Sequence, residues 1–160
     1  SKMYAKLFSE LIAEFEFMRQ IFDNNLREFN KVFQDISYCD PKDYDKYCEN
    51  NKKNEKRRAL GLFYVNLMIE DVIEQDTILD IILGIQEYLI SKLDVENHSA
   101  VVDELSELLY IMIIPCKEIK DNKWDKIVDN VESISKMKSK DKTSLTNKTV
   151  FKHMDIMDAI

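Results

Sequence analysis

The chain has 160 residues, enough for one domain to bury a substantial core without disulfides or a structural metal. Only 2 glycines and 2 prolines accompany 45% hydrophobic and 33% charged residues, so turn-forming residues are too scarce for a sheet protein and the composition predicts an all-helical one. A net charge of -7 excludes a protein that coats nucleic acid over its whole surface, because phosphates are neutralised by lysine and arginine.

Apolar residues at helical spacing predict two helices, forming one hairpin, near the start of the chain. Their apolar positions are Tyr4, Leu7, Phe8, Leu11, Ile12 and Phe15 in the first, and Met18, Ile21, Phe22, Leu26, Phe29, Val32 and Phe33 in the second. The next stretch, Ser37 to Asn54, is polar, aperiodic and interrupted by Asp40-Pro41. It predicts a loop, or a partly frayed helix start, near residues 37–55.

Further helices follow at regular intervals. An arginine-led helix is predicted from about Lys56 to Ile73, and a second begins at Asp76 or Thr77, with Gln86 and Lys92 on its solvent side. A third begins at Asn97 or Ser99 and is stopped by Pro115, and Trp124 marks the next. The predicted core contains Leu60, Tyr64, Leu67, Ile81, Ile85, Leu105, Leu109 and Ile127.

Helix pairs beginning near Lys56, Asn97 and Thr146 repeat at a period of roughly 40 to 50 residues, which is in the range of HEAT-type solenoids. This favours one domain, residues 1–160, built as a HEAT-like solenoid of stacked antiparallel helical hairpins. An ordinary helical bundle is the alternative, since no residue-level signature repeats from one pair to the next.

No pattern of catalytic residues is present. The sequence lacks a glycine-rich phosphate loop and the GxSxG, HExxH and DxDxDG spacings. His98 and His153 are far apart and are predicted at the surface or at helix ends. The carboxylates Glu10/Glu14 and Asp103/Glu104/Glu107 are predicted on exposed helix faces. We therefore expect a protein that is not an enzyme and needs no cofactor.

The cysteines and the lengths of the apolar stretches indicate whether the protein binds a metal and where it is located. Cys39, Cys48 and Cys116 form no CxxC pair and have no histidine at ligand spacing, so free thiols in a reducing compartment are expected and no metal site is. No apolar stretch approaches the roughly 18 residues of a membrane span. These features predict a soluble, cytoplasmic protein.

Two basic clusters and one glycine stand out from ordinary helix sequence. Gly61 inside an apolar run suggests close packing against a neighbouring helix. Arg57 and Arg58, just before it, could bind a carboxylate bidentately within the fold. Lys52, Lys53 and Lys56 precede these arginines, and the second cluster fills the connection into the last helix with Lys136, Lys138, Lys140, Lys142 and Lys148. For the second cluster, RNA phosphate contact and a plain role in solubility or interhelical ion pairing remain open.

Arg57-Arg58-Ala59-Leu60-Gly61, followed by apolar residues, is similar to an Arg-Arg-Ser-Leu-Gly helix start in the middle domain of the eukaryotic translation initiation factor 4G scaffold. That family also carries, in its last helix, an arginine, a phenylalanine, three residues, an aspartate, two residues and another aspartate. Val150, Phe151, Asp155 and Asp158 occupy these positions, with Val150 replacing the arginine. His153 stands where the family prefers an apolar residue.

The resemblance implies a non-catalytic scaffold in translation initiation that binds and stimulates the DEAD-box RNA helicase initiation factor 4A. It makes Phe151, Asp155 and Asp158 the expected partner contacts, although Phe151 could instead pack in the final hairpin. The family domain has five hairpins, and this chain matches it from within the second hairpin to the first helix of the fifth, as a fragment would. A cap-binding protein would be contacted through regions outside the chain.

Two other functions stay open. One is an RNA-binding or protein-interaction HEAT-like module of another RNA pathway, such as messenger decay or nuclear cap binding, in which the basic clusters bind RNA. The other is a helical interaction protein with no connection to RNA. Any direct RNA binding is expected to be weak and salt-sensitive, because only local lysines oppose the negative net charge.

Overall fold

A computed structural model describes residues 2–33, 35–40 and 42–160, and these residues contain seven α-helices and no strand. The all-helical prediction is thereby confirmed. The helices are α1 (Lys2–Glu14), α2 (Glu16–Val32), α3 (Tyr44–Ile69), α4 (Gln75–Lys92), α5 (Ser99–Ile113), α6 (Asn122–Ser135) and α7 (Asn147–Ala159), with short 3-10 turns at Ile114–Cys116 and Ser139–Asp141.

The start of α3 differs from the prediction. Residues 44–54, predicted as a loop or a partly frayed helix start, are fully helical, whereas the described connection residues 35–40 and 42–43 are not; Pro41 lies outside the described residues. Asp43 caps the helix by accepting from the Lys46 backbone N–H at 3.4 Å. α3 is one continuous helix of 26 residues that begins at Tyr44. Arg57 and Arg58 therefore lie within the helix and not at its start.

α3 also ends earlier than predicted, at Ile69 instead of Ile73. Asp71 takes a left-handed backbone conformation with φ 57, and the Val72 N–H donates to the Leu67 carbonyl at 2.9 Å. Together with the Asp71 N–H bond to the Met68 carbonyl, this is a Schellman ending with aspartate in the position that glycine usually takes.

The helices pack in an alternating order. α1 contacts α3, α3 contacts α5 and α5 contacts α7. α4 packs on α6, and in addition α4 packs on α5 and α6 packs on α7. The predicted core residues Tyr64, Leu67, Ile81, Ile85, Leu105, Leu109 and Ile127 are buried, whereas Leu60 is half-buried. α5 lies in the middle, in contact with α3, α4 and α7.

Gly61 marks the closest approach of α3 to α5. A Cβ atom at this position would lie 2.8 Å from Leu108 Cδ1 and 3.1 Å from Met112 Sδ, both on α5 and both fully buried. The close packing expected from the sequence is present. Glycine is needed here because any larger residue would place a Cβ atom in the space that the Leu108 and Met112 side chains occupy.

Gln86 was expected on the solvent side of α4, and this prediction is wrong. Its side chain is fully buried under α6. The Nε2 group donates to the Ile127 carbonyl at 3.0 Å, and Oε1 accepts from Asn130 Nδ2 at 2.9 Å. The amide therefore joins α4 to α6 with both ends satisfied, which is how a polar group is buried at low cost.

Candidate protein-interaction surface

The first turn of α7 is fixed by hydrogen bonds to α5. Thr146 caps the helix by accepting from the Thr149 N–H at 3.1 Å, and its hydroxyl donates to Asp103 Oδ1 at 2.5 Å. The Thr149 hydroxyl donates to the same carboxylate oxygen at 2.8 Å. Two hydroxyls on one carboxylate set the position and rotation of α7 against α5.

The inner face of α7 is buried and includes a histidine. Val150 and Ile156 pack in the core with His153, which is completely buried. His153 was expected at the surface or at a helix end, so this prediction is wrong. Its Nδ1 lies 2.9 Å from the Thr149 carbonyl, a distance at which an Nδ1–H would donate, and its Nε2 has no hydrogen-bond partner among the described residues. Burial lowers the pKa of His153.

The outer face of α7 is exposed and carries two large apolar side chains beside two carboxylates. Phe151 is 60% exposed and Met154, one turn later, is 45% exposed. Asp155 and Asp158 are exposed on the same face, because residues separated by three, four and seven positions lie in line on a helix. Phe151, Met154, Asp155 and Asp158 are named here the α7 outer face.

A shallow groove of about 570 Å³ lies between this face and the connection from α6. Phe151 and Met154 form one side of the groove and Met137 adds to its apolar surface, while Lys136, Lys138 and Lys140 also line it. Lys136 additionally pairs with Glu132 at 2.6 Å. An aromatic side chain beside several ammonium groups can bind a partner that presents an apolar group next to acidic ones.

The structure separates the five lysines of the second basic cluster. Lys136, Lys138 and Lys140 line the groove, but Lys142 and Lys148 do not. Lys142 Nζ lies 2.7 Å from Asp94 Oδ2 after α4, and Lys148 Nζ lies 3.6 Å from Glu107 Oε1 on α5. These two have carboxylate partners from distant parts of the chain.

Arg57 and Arg58 have different partners. Arg58 Nε lies 3.1 Å from Glu104 Oε1, an ion pair whose geometry falls short of a hydrogen bond. Arg57 instead donates to the backbone carbonyls of Val32 at 2.8 Å and Asp35 at 3.1 Å. Arg58 thus joins α3 to α5, and Arg57 holds the end of α2 on α3. Burial lowers the pKa of Arg57.

The α5 carboxylates were expected on an exposed face, and this prediction is wrong. Glu104 is buried, and the side chains of Asp103 and Glu107 are largely covered. Burial raises the pKa of Glu104, although the charges of Arg58 and Arg57 oppose the shift. These carboxylates are covered because α5 is packed against three other helices. Its polar side chains therefore contact neighbouring helices as its apolar ones do. Sequence reasoning missed the burial of these carboxylates because their partners lie more than 40 residues away.

Cys39, Cys48 and Cys116 are free thiols, and among the described residues no group of His, Cys, Asp or Glu is arranged to hold a metal ion. Glu10 and Glu14 are exposed, as predicted. Within the described ranges, no helix combines the length and apolar character needed to cross a bilayer.

Comparison of the chain with protein-family models, with curated proteins and with solved structures gave no match in any of the three.

Proposed function

We propose that this chain is a non-catalytic scaffold of the translation initiation factor 4G type, which binds and stimulates the DEAD-box helicase initiation factor 4A. The observation that carries the proposal is the α7 outer face. Phe151 is exposed although α7 is firmly docked, and it stands in line with Asp155 and Asp158, the three positions that the family resemblance assigns to the partner.

The fold gives further support. Helices α1, α3, α5 and α7 contact one another in succession and α4 packs on α6, an order compatible with the two layers of a HEAT-like solenoid. We propose that arrangement for the chain. Gly61 and Arg58, the other half of the resemblance, hold α3 against α5, which in turn holds α7. Both stretches therefore belong to one packed unit.

The mechanism is thermodynamic linkage. A scaffold that binds one arrangement of the two helicase lobes more tightly than another shifts the helicase toward that arrangement, by no more than the difference in affinity. A fixed helix presenting one aromatic and two carboxylates is suited to this role, because little of the binding free energy is lost in ordering the surface.

Binding to purified initiation factor 4A, with an ATP analogue and RNA, tests the proposal. Phe151→Ala should weaken binding by about 2 kcal/mol, as interface aromatics commonly do, with little change in melting temperature. Tyr38→Ala is the matched control, because Tyr38 is also an exposed aromatic but lies in the α2–α3 connection. Unaltered helicase stimulation by Phe151→Ala, or no binding by the unaltered chain, would reject the proposal.

Direct RNA binding is a second candidate, favoured by the lysines of the groove. Neutralising phosphates with three lysines gives weak binding that falls steeply with salt. Lys138→Glu with Lys140→Glu should reduce RNA retention on a filter. Lys52→Glu with Lys56→Glu, which makes the same charge change on α3, should leave it nearly unchanged. Equal losses in the two double variants would show a general charge effect and not a groove site.

A further inference from the structure

α1 presents an apolar row to solvent that none of the described helices covers. Its inner face holds Ala5, which is fully buried, and its outer face holds Met3, 73% exposed, and Leu7, 51% exposed. Half-buried Leu11 continues the row at the same spacing of four residues. Phe15, at the junction with α2, extends the row to Phe17, with ring centroids 5.8 Å apart.

A charged row runs beside the apolar one. Lys2, Lys6, Glu10 and Glu14 follow each other at intervals of four residues, each directly preceding a member of the apolar row, and all four are exposed. Among the described residues none of them forms an ion pair. The positive charges occupy the first half of α1 and the negative charges the second half.

We propose that this face binds a second copy of the chain, with the two α1 helices antiparallel. In a pair related by a twofold axis, the same flank of each helix meets itself in reverse order. Lys2 then lies opposite Glu14 of the second copy, and Lys6 lies opposite Glu10. The row of charges is complementary to itself in this orientation, and the apolar rows meet along the axis. A parallel pair would instead set the charged row against apolar Tyr4 and its neighbours.

The size of the face sets the expected affinity. One helix against one helix is a small interface of the weak, transient kind, so dimerisation should depend on concentration and should be followed over a series from the micromolar range upward. Sedimentation equilibrium over such a series should show the mass rising from 19.0 kDa toward twice that value. A single species at 19.0 kDa throughout would overturn the proposal.

Charge reversal identifies the face and the orientation. Lys2→Glu with Lys6→Glu makes the row wholly acidic, and Glu10→Lys with Glu14→Lys makes it wholly basic. Each variant alone should dimerise at least about tenfold more weakly, since like charges face each other. Mixed together, the two should form a heterodimer, and a chain carrying all four changes should dimerise like the unaltered one.

The substituted side chains are exposed, so the variants should keep the melting temperature of the unaltered chain. Leu7→Asp tests the apolar row separately and should also abolish the dimer. Phe151→Ala, on the α7 outer face, should dimerise normally. A dimer that persists in Leu7→Asp, or is unaffected by reversing either pair of charges, would place the contact elsewhere and refute the antiparallel α1 pairing.

Discussion

At the scale of single residues, the environment of the His153 side chain differs from the exposed position that the sequence predicts for it. It is buried with its Nε2 unpartnered among the described residues. Protonation would place an uncompensated charge in the core, so the folded protein binds the proton less readily than the unfolded chain does. Stability therefore rises with pH wherever the unfolded chain holds more protons.

The consequence is a loss of stability on acidification. Since burial lowers the pKa of His153 from its ordinary value of 6.5, the free energy of unfolding should be unaffected by this group above that pH and should fall below it, by up to about 1.4 kcal/mol per pH unit. Urea denaturation at several pH values measures this. His153→Leu should remove this part of the decline, whereas His98→Leu should retain it. A decline of the same size in His153→Leu would assign the effect to other groups.

Cys116 should be chemically inert in the folded protein. Burial raises its pKa to about 12, and its Sγ donates to the Met112 carbonyl at 3.2 Å. Because the thiolate is the reactive form, iodoacetamide should modify Cys39 and Cys48, both half-buried, well before Cys116. Mass spectrometry of partly labelled protein measures the order. In denaturant all three should react, and early labelling of Cys116 in the native state would contradict its burial.

The residue pattern predicted only part of the site. Val150 and Phe151 are adjacent apolar residues about 100° apart on the helix, so periodicity alone cannot decide which faces the core. The position of α5 and α6 decides it: Val150 is buried and Phe151 is exposed. Likewise, nothing local distinguishes Lys142 from Lys140, because the Asp94 partner of Lys142 is 48 residues away.

At the scale of helices, the residues at which a helix begins and ends were harder to predict than the presence of the helix. Residues 44–54 of α3 show no apolar stripe, so the period that identifies a helix is absent there. The segment is helical through local interactions instead, namely the Asp43 cap and surface pairs such as Lys53 with Glu49 at 3.1 Å. The second half of the same helix could be predicted from the sequence, because its buried face consists of apolar residues at helical spacing.

The two glycines make a matched test of packing between α3 and α5. Gly61→Ala brings a methyl group against fully buried Leu108 and Met112, and overpacking of this kind typically costs 1–3 kcal/mol. Alanine's better helix propensity offsets about 1 kcal/mol, so a net loss of about 1 kcal/mol is expected. Chemical denaturation gives the difference.

Gly84 supplies the control. It is also in the middle of a helix, but apart from the neighbouring backbone of its own helix no atom lies within 4 Å of where its Cβ would be. Gly84→Ala should therefore stabilise the protein by about 0.5 to 1 kcal/mol. Stabilisation by both alanine variants would show that α3 and α5 can move apart at no cost, against the packing described above.

At the scale of the whole molecule, stability should be highest in the centre and lowest at α1. α5 has nine buried residues and contacts three other helices, whereas Ala5 is the one buried residue of α1. Amide hydrogen exchange under native conditions should therefore be slowest in α5 and fastest in α1, because local opening costs less where few apolar contacts are broken. Mass spectrometry at concentrations below the dimer range would resolve the order. Equal protection of the two helices would indicate one cooperative unit.

The helical class followed from composition, because a chain so poor in glycine and proline cannot make the turns of a sheet protein. The contacts between helices could not be predicted from composition. The contacts that join α3, α5 and α7 include polar groups far apart in sequence, such as Arg58 with Glu104 and Thr149 with Asp103. A single sequence carries no signal that pairs them.

Selection can act on the two faces of α7 separately. Changes at Val150, His153 or Ile156 alter folding, and the stability threshold that a protein must meet limits them. Changes at Phe151, Met154 or Asp155 alter the exposed surface and leave folding largely unchanged, since these side chains contribute little to the core. Divergent copies of this chain could therefore acquire different partners by a few substitutions on one helix, each arising without a compensating mutation elsewhere.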